Sequence, residues 1–161
     1  MPPATRFTKW PKITGSPSKT SKKPCVLSNA SPPEGLKLFI DRDAWSTKLD
    51  LALRAAGIPF VAHRDMFAHD TPDVTWLAEA GRRGWLVLTR DQNIRRRPDE
   101  LKALRDAGVL LFALTSGNLS AQETADLVIA SWPKMVRIAG TTNRPAIYSI
   151  TRSGDVRRIE R

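Results

Sequence analysis

The sequence predicts an α/β protein: a three-layer α/β/α arrangement with a mainly parallel central sheet and a C-terminal β-hairpin. Three observations predict it. Short apolar runs, LKLFI, IPFVA, WLVLT and GVLLFALT, alternate with stretches of helical spacing. Within those runs successive positions are apolar, as in strands buried on both faces of a parallel sheet. Near the C-terminus the alternation stops, and AIYSIT and DVRRIE flank Ser153-Gly154 as a hairpin over about residues 145–160.

Each element has a local reason. LKLFI forms strand one and ends at Asp41. Asp43 is the expected N-cap of the first helix, whose apolar positions Trp45, Leu49, Leu53 and Ala56 recur at helical spacing. Gly57 and Pro59 end that helix, and IPFVA is strand two. HRDMFAHD reads as a loop. Thr71 is the expected cap of the next helix, with Pro72 at its first position and Val74, Leu77, Ala78 and Gly81 on its inner face. WLVLT is strand three. Pro98 opens a helix with Asp99 and Glu100 in its first turn and Leu101 and Leu104 facing inward. GVLLFALT is strand four. Ser120 and Glu123 form a capping box that starts a helix running to about Val136.

Composition sorts the chain into two parts. Residues 1–34 are rich in Pro, Ser, Thr and Lys without an apolar period, which predicts a disordered basic tail. Residues 35–161 are the expected domain. The net charge is +10, from 26 Lys+Arg against 16 Asp+Glu. Six of those bases and one acid fall in residues 1–35, so residues 36–161 keep an excess of five bases of their own. A basic domain favours a polyanionic partner, nucleic acid first; a basic protein that is merely soluble stays open on charge alone. No 18-residue apolar run and no apolar signal segment are present, so no membrane span or secretion is expected. The lone Cys25 cannot form an internal disulfide, and the expected compartment is a reducing cytoplasm.

The chemistry is carried by acids. In parallel α/β sheets, ligands bind outside the carboxyl ends of the strands. Asp41 ends strand one, Asp91 follows strand three, and Asp73 lies in the first turn of the intervening helix. Taken singly, Asp41 and Asp91 read as strand-end caps and Asp73 as a helix-start acid. Together at one edge they would repel, and a hard divalent cation, Mg²⁺ or Mn²⁺, would resolve the conflict. Such a cation suits hydrolysis of a phosphodiester. Thr89 is placed to orient Asp91, and Asn93 to add an oxygen. Asp43 reads first as a helix cap and second as a ligand; Asp65 reads as a solvated loop acid or a further ligand. Arg90, Arg95, Arg96 and Arg97 lie on the same rim. They read as phosphate contacts, or as a solvated helix start, although cations there oppose the helix dipole. His63, His69 and Asp70 lack the third imidazole or the cysteine pair of a structural zinc site. Gly81-Arg-Arg-Gly84 matches no phosphate-binding glycine loop, and Trp45, Trp76 and Trp85 read as core.

LFIDRD followed by DTPDVTWLAEAGRRGWLVLTRDQNI resembles the PIN-domain nucleases, and among them the short VapC-like toxins of bacterial toxin–antitoxin systems. The resemblance covers about residues 36–115 and rests on the order and spacing of its short motifs. Asp41, Asp73 and Asp91 match the family's acids, and Thr89 matches its hydroxyl. The resemblance implies a parallel α/β/α sheet, Mg²⁺- or Mn²⁺-dependent endoribonuclease activity, an RNA substrate and a partner antitoxin; a homodimer stays open. Full PIN domains carry a Glu between the first two Asp, on an added helical segment that is absent here and in the short group. Asp65 is the candidate for a partial substitute. That departure keeps an alternative: a catalytically impaired PIN-like module that binds nucleic acid or protein.

Overall fold

The computed structural model describes residues 34–159. The tail expected over residues 1–34 lies, apart from Glu34, outside them. The described chain runs β1 (Leu38–Ile40), α1 (Thr47–Ala55), β2 (Phe60–Ala62), α2 (His63–Met66), α3 (Asp73–Arg82), β3 (Leu86–Thr89), α4 (Pro98–Ala107), β4 (Leu110–Leu114), α5 (Ala121–Thr141), β5 (Ala146–Ile150) and β6 (Val156–Ile159). A single 3₁₀ turn, Ile94–Arg96, precedes α4.

The strands form one sheet in the order β2-β1-β3-β4-β5-β6. β1 to β5 pair in parallel, and β6 returns antiparallel to β5 as the predicted hairpin. The register places Leu38 beside both Phe60 and Leu86. Because β1 lies between β2 and β3, the chain moves one way from β1 and then back past it. That reversal makes the crevice beyond β1 and β3 the switch point at which such sheets bind ligands.

Both faces of the sheet are covered, because adjacent strand residues point to opposite faces. Leu38, Ile40, Leu86, Leu88 and Phe112 pack with Leu49 and Leu53 of α1 and with Val128, Trp132 and Met135 of α5. Phe39, Val87 and Leu111 pack with Trp76, Leu77 and Ala80 of α3 and with Ile94 and Leu104. Phe39 is the centre of this second layer. It stacks on Trp76 at 5.3 Å between ring centroids and on Trp85 at 6.1 Å, and meets His63 and Phe67 edge-on. Gly81 lets α3 and α4 approach closely: a Cβ there would stand 2.4 Å from the carbonyl oxygen of Ala107.

Several local expectations are corrected. Ser46, not Asp43, caps α1, its hydroxyl accepting from the Leu49 amide at 3.1 Å. HRDMFAHD is not all loop, since its first four residues form α2. Pro72 stands at the N-cap of α3 rather than inside it, and Thr71 is not the cap. The inner face of α3 is Trp76, Leu77 and Ala80; Val74 is exposed because the face follows Phe39 and not the positions expected from spacing. The capping box of Ser120 and Glu123 is present, but α5 continues through Pro133 to Thr141. No helix among the described residues is long and apolar enough to cross a membrane.

Candidate functional site

Asp41 directly follows β1 and is 4% exposed. Its amide joins the β1–β3 pairing by donating to the Leu88 carbonyl at 3.0 Å, so the backbone fixes its position. Two neutral donors hold the carboxylate: the Thr89 hydroxyl at 2.8 Å and the Arg42 amide at 2.6 Å. Burial pushes the Asp41 carboxyl up to about 6; those two hydrogen bonds oppose the rise, and the charges of Asp43 and Asp73 add to it. Thr89 is fully buried and links two acids, since its oxygen also accepts from the Asp91 amide at 3.0 Å. Asp91 in turn accepts from the Asn93 amide at 2.7 Å, an Asx-type turn that fixes the loop after β3. Asn93 therefore contributes its backbone here, and its side chain is exposed.

Asp73 opens α3. Its Oδ1 accepts from the Trp76 indole at 3.0 Å and from the Arg42 guanidinium at 3.0 Å. Trp76 is a core residue stacked on Phe39, so core packing positions this acid. Arg42 also donates to the His69 carbonyl, tying the loop before α3 to the end of β1. His63 lies buried among Phe39, Phe67 and Trp76 with neither ring nitrogen hydrogen-bonded. Burial, followed by the Arg42 charge, lowers its pKa and favours the neutral ring.

The arginine run divides. Arg97 is the N-cap residue of α4, and its guanidinium turns onto the acids: Asp91 Oδ2 at 3.0 Å, Glu100 Oε1 at 3.0 Å and Asp73 Oδ2 at 3.8 Å. Its charge thus goes to carboxylates, which offsets the dipole conflict expected at a helix start. Arg95 and Arg96 are exposed, on the 3₁₀ turn. Arg90 donates to the Gly117 carbonyl at 3.1 Å.

Asp41, Asp73 and Asp91 therefore lie along one edge, with Thr89 between two of them. Asp43 is exposed beside Asp41 and acts on it only through charge. Asp65 is exposed on α2, makes none of the site's hydrogen bonds or ion pairs, and its charge acts on Arg54 instead. Three residues of the site are not predicted from the sequence: Arg42, Trp76 and Glu100. The signals are present, Arg42 beside Asp41 and the spacing of three from Asp73 to Trp76 and from Arg97 to Glu100, but only packing shows which way those side chains turn.

Among the described residues, no group of three His, Cys, Asp or Glu is gathered tightly enough to hold a metal ion as placed. The outer carboxylates surround a guanidinium instead. The donor set nevertheless suits a hard divalent cation: it is all carboxylate oxygen, and Asp73, Asp91 and Glu100 already converge on Arg97, with Asp41 held separately by Thr89 and the Arg42 amide. The outer acids are partly exposed, the side chains of Asp73 and Asp91 to 17% and 16%. The cavity of about 110 Å³ lined by Leu104, Pro145 and Ile147 belongs to another part of the surface.

Residues 36–116 match the family described as "PIN like domain". The chain is also 30% identical over 124 residues to the protein named "Putative ribonuclease VapC45" of Mycobacterium tuberculosis, a match covering 74% of this chain and 89% of the relative. No solved structure matches the chain. The parallel sheet, the acids at its carboxyl edge and these matches agree: the chain belongs to the PIN-like domain family, in its VapC-like group.

Proposed function

We propose that the chain is an endoribonuclease that hydrolyses RNA phosphodiester bonds with Mg²⁺ or Mn²⁺, acting as the toxin of a toxin–antitoxin pair in the cytoplasm. The observation that carries the reading is the convergence of Asp41, Asp73 and Asp91 on the switch point between β1 and β3. The name of the mycobacterial relative supports the reaction class.

In this reading Asp41, Asp73 and Asp91 hold the cation. When bound, it would supply an activated water and neutralise the charge that develops on the phosphate. The chain's own residues do the rest. Thr89 orients Asp41 through its hydroxyl, and Asp91 through its acceptance of the Asp91 amide. Trp76 and Arg42 fix Asp73 against the core. Arg90, Arg95 and Arg96 line the rim where an RNA backbone would lie, and Arg97 joins them once a cation replaces it among the acids. A small antitoxin or a second copy of the chain would be the protein partner. Residues 35–161 are the unit proposed to carry the activity, with the tail dispensable.

A second reading has its own support. Arg42 and Arg97 already neutralise the outer acids, and the acids are not gathered as a ready metal site. A module that binds RNA without cutting it would look the same. Incubating RNA with the chain in Mg²⁺, in Mn²⁺ and in EDTA, beside Asp91→Asn, separates the two. Cleavage that needs metal and Asp91 supports the nuclease; binding without cleavage in every buffer supports the module.

A further inference from the structure

We propose that Glu100 is a fourth carboxylate of this cation site, kept in place by Arg97 until a divalent cation takes the position of its guanidinium. The inference rests on the cation-site reading above and adds a ligand to it.

Glu100 stands in the first turn of α4, where acids ordinarily face solvent and favour the helix dipole. Its neighbour Asp99 does that and is exposed. Glu100 is different. Its side chain is 15% exposed, as sheltered as those of Asp91 at 16% and Asp73 at 17%. Both of its oxygens accept from one Arg97 nitrogen, at 3.0 and 3.1 Å. The same nitrogen stands 3.0 Å from Asp91 Oδ2 and 3.8 Å from Asp73 Oδ2. A single cationic atom thus faces carboxylates from α3, from the loop after β3 and from α4.

A helix-start ion pair alone does not account for this. Such a pair forms as well in solvent, whereas turning it inward puts Glu100 close to two like charges and removes water from it. The charge count supplies the reason. Asp41, Asp73, Asp91 and Glu100 carry four negative charges, and Arg42 and Arg97 return two. A divalent cation in the place of the Arg97 guanidinium would halve the remaining deficit. Attachment differs as well. Glu100 is fixed on a ten-residue helix whose packing on α3 is set by the close approach at Gly81. Arg97 lies outside that helix on a long side chain that is 50% exposed. The guanidinium can leave; the carboxylate stays.

The test is a calorimetric titration of the full chain with MnCl₂ alone, without RNA. Glu100→Gln can weaken binding in two ways, by removing a ligand or by freeing Arg97 to grip Asp73 and Asp91 more tightly. The background of Arg97→Ala separates them. Arg97→Ala should bind Mn²⁺ at least as tightly as the wild type. Adding Glu100→Gln should then weaken binding by roughly tenfold or more, the loss seen when even an outer partner of a metal ligand is removed. Glu100→Asp, which keeps the charge and shortens the reach, should fall between. Circular dichroism of each variant establishes that it is folded, and Glu100→Asp in the Arg97→Ala background decides the matter should the Gln variant not fold. Equal affinity of the single Arg97→Ala variant and the double variant overturns the inference while leaving the site intact, provided Asp91→Asn loses affinity. No Mn²⁺ binding by the wild type, or none lost in Asp91→Asn, overturns the cation site itself and this inference with it.

Discussion

The inner and outer parts of the crevice hold the same functional group in opposite ways. Asp41, at the inner end, is buried and has only neutral donors, a hydroxyl and an amide. Asp73, Asp91 and Glu100, at the rim, are partly exposed and lie against guanidinium groups. Repulsion among the acids is therefore not spread evenly. The rim compensates its own charges with guanidinium groups; at the inner end burial first, and then the charges of Asp43 and Asp73, push the Asp41 carboxyl up to about 6. A carboxylate held this way is costly when ionised and available when a cation arrives.

The largest expected effect tests whether the two parts act together. Asp41→Asn and Asp91→Asn should each reduce metal-dependent RNA cleavage by about a hundredfold or more, since several kcal/mol of charge stabilisation are at stake. Gel analysis of cleaved RNA at matched Mn²⁺ measures it. Full activity in either variant would remove that acid from the site.

The next effect isolates the inner acid through pH. The folded state holds the Asp41 proton more tightly than the unfolded chain, about 6 against the ordinary 3.8. Its contribution to stability is therefore fully present below about 4, is lost as pH rises towards 6, and stays lost above. The loss is on the order of 2–3 kcal/mol at pH 7. In EDTA, Asp41→Asn should melt at or above the wild type at pH 7 and lose that advantage near pH 4. Mn²⁺ should raise the melting temperature of the wild type more than that of the variant. Thermal scans across pH, with and without Mn²⁺, decide it; a variant less stable at pH 7 that gains equally from Mn²⁺ would make Asp41 a structural cap.

Thr89→Val sharpens the same point at the neutral donor. It keeps the shape of a fully buried side chain and removes the hydroxyl from Asp41 and the acceptor from the Asp91 amide. It should cost about 1–3 kcal/mol at pH 7 by denaturant unfolding, and less at pH 4, where Asp41 is neutral. A loss independent of pH would mean that the hydroxyl serves the loop and not the charge.

At the rim the effects on stability should be smaller and should depend on salt. Arg97→Ala should lower the melting temperature less than Thr89→Val does, and the difference from wild type should shrink in high salt, because half-exposed ion pairs are screened. For RNA, replacing Arg95 and Arg96 by Ala should reduce the slope of log affinity against log salt by about one unit for each phosphate no longer neutralised. Filter binding at several salt concentrations measures that slope; an unchanged one would place these arginines away from the RNA.

Much of this molecule was legible before folding. Continuous apolar runs, glycine and proline breaks and the capping box of Ser120 and Glu123 depend on local chemistry, so the chain alone determined the strand–helix alternation and the hairpin. The order of Asp41, Asp73, Thr89 and Asp91 was likewise readable, because acids at the carboxyl ends of parallel strands meet wherever those strands are neighbours. What local spacing could not determine was direction. Which face of α3 follows Phe39, and whether Arg97 and Glu100 turn outward or into the crevice, depend on residues far away in the chain. Tertiary structure decided these, because a side chain's partner is set by the competition among packing, charge and solvent in three dimensions, and only the assembled sheet brings the competitors together.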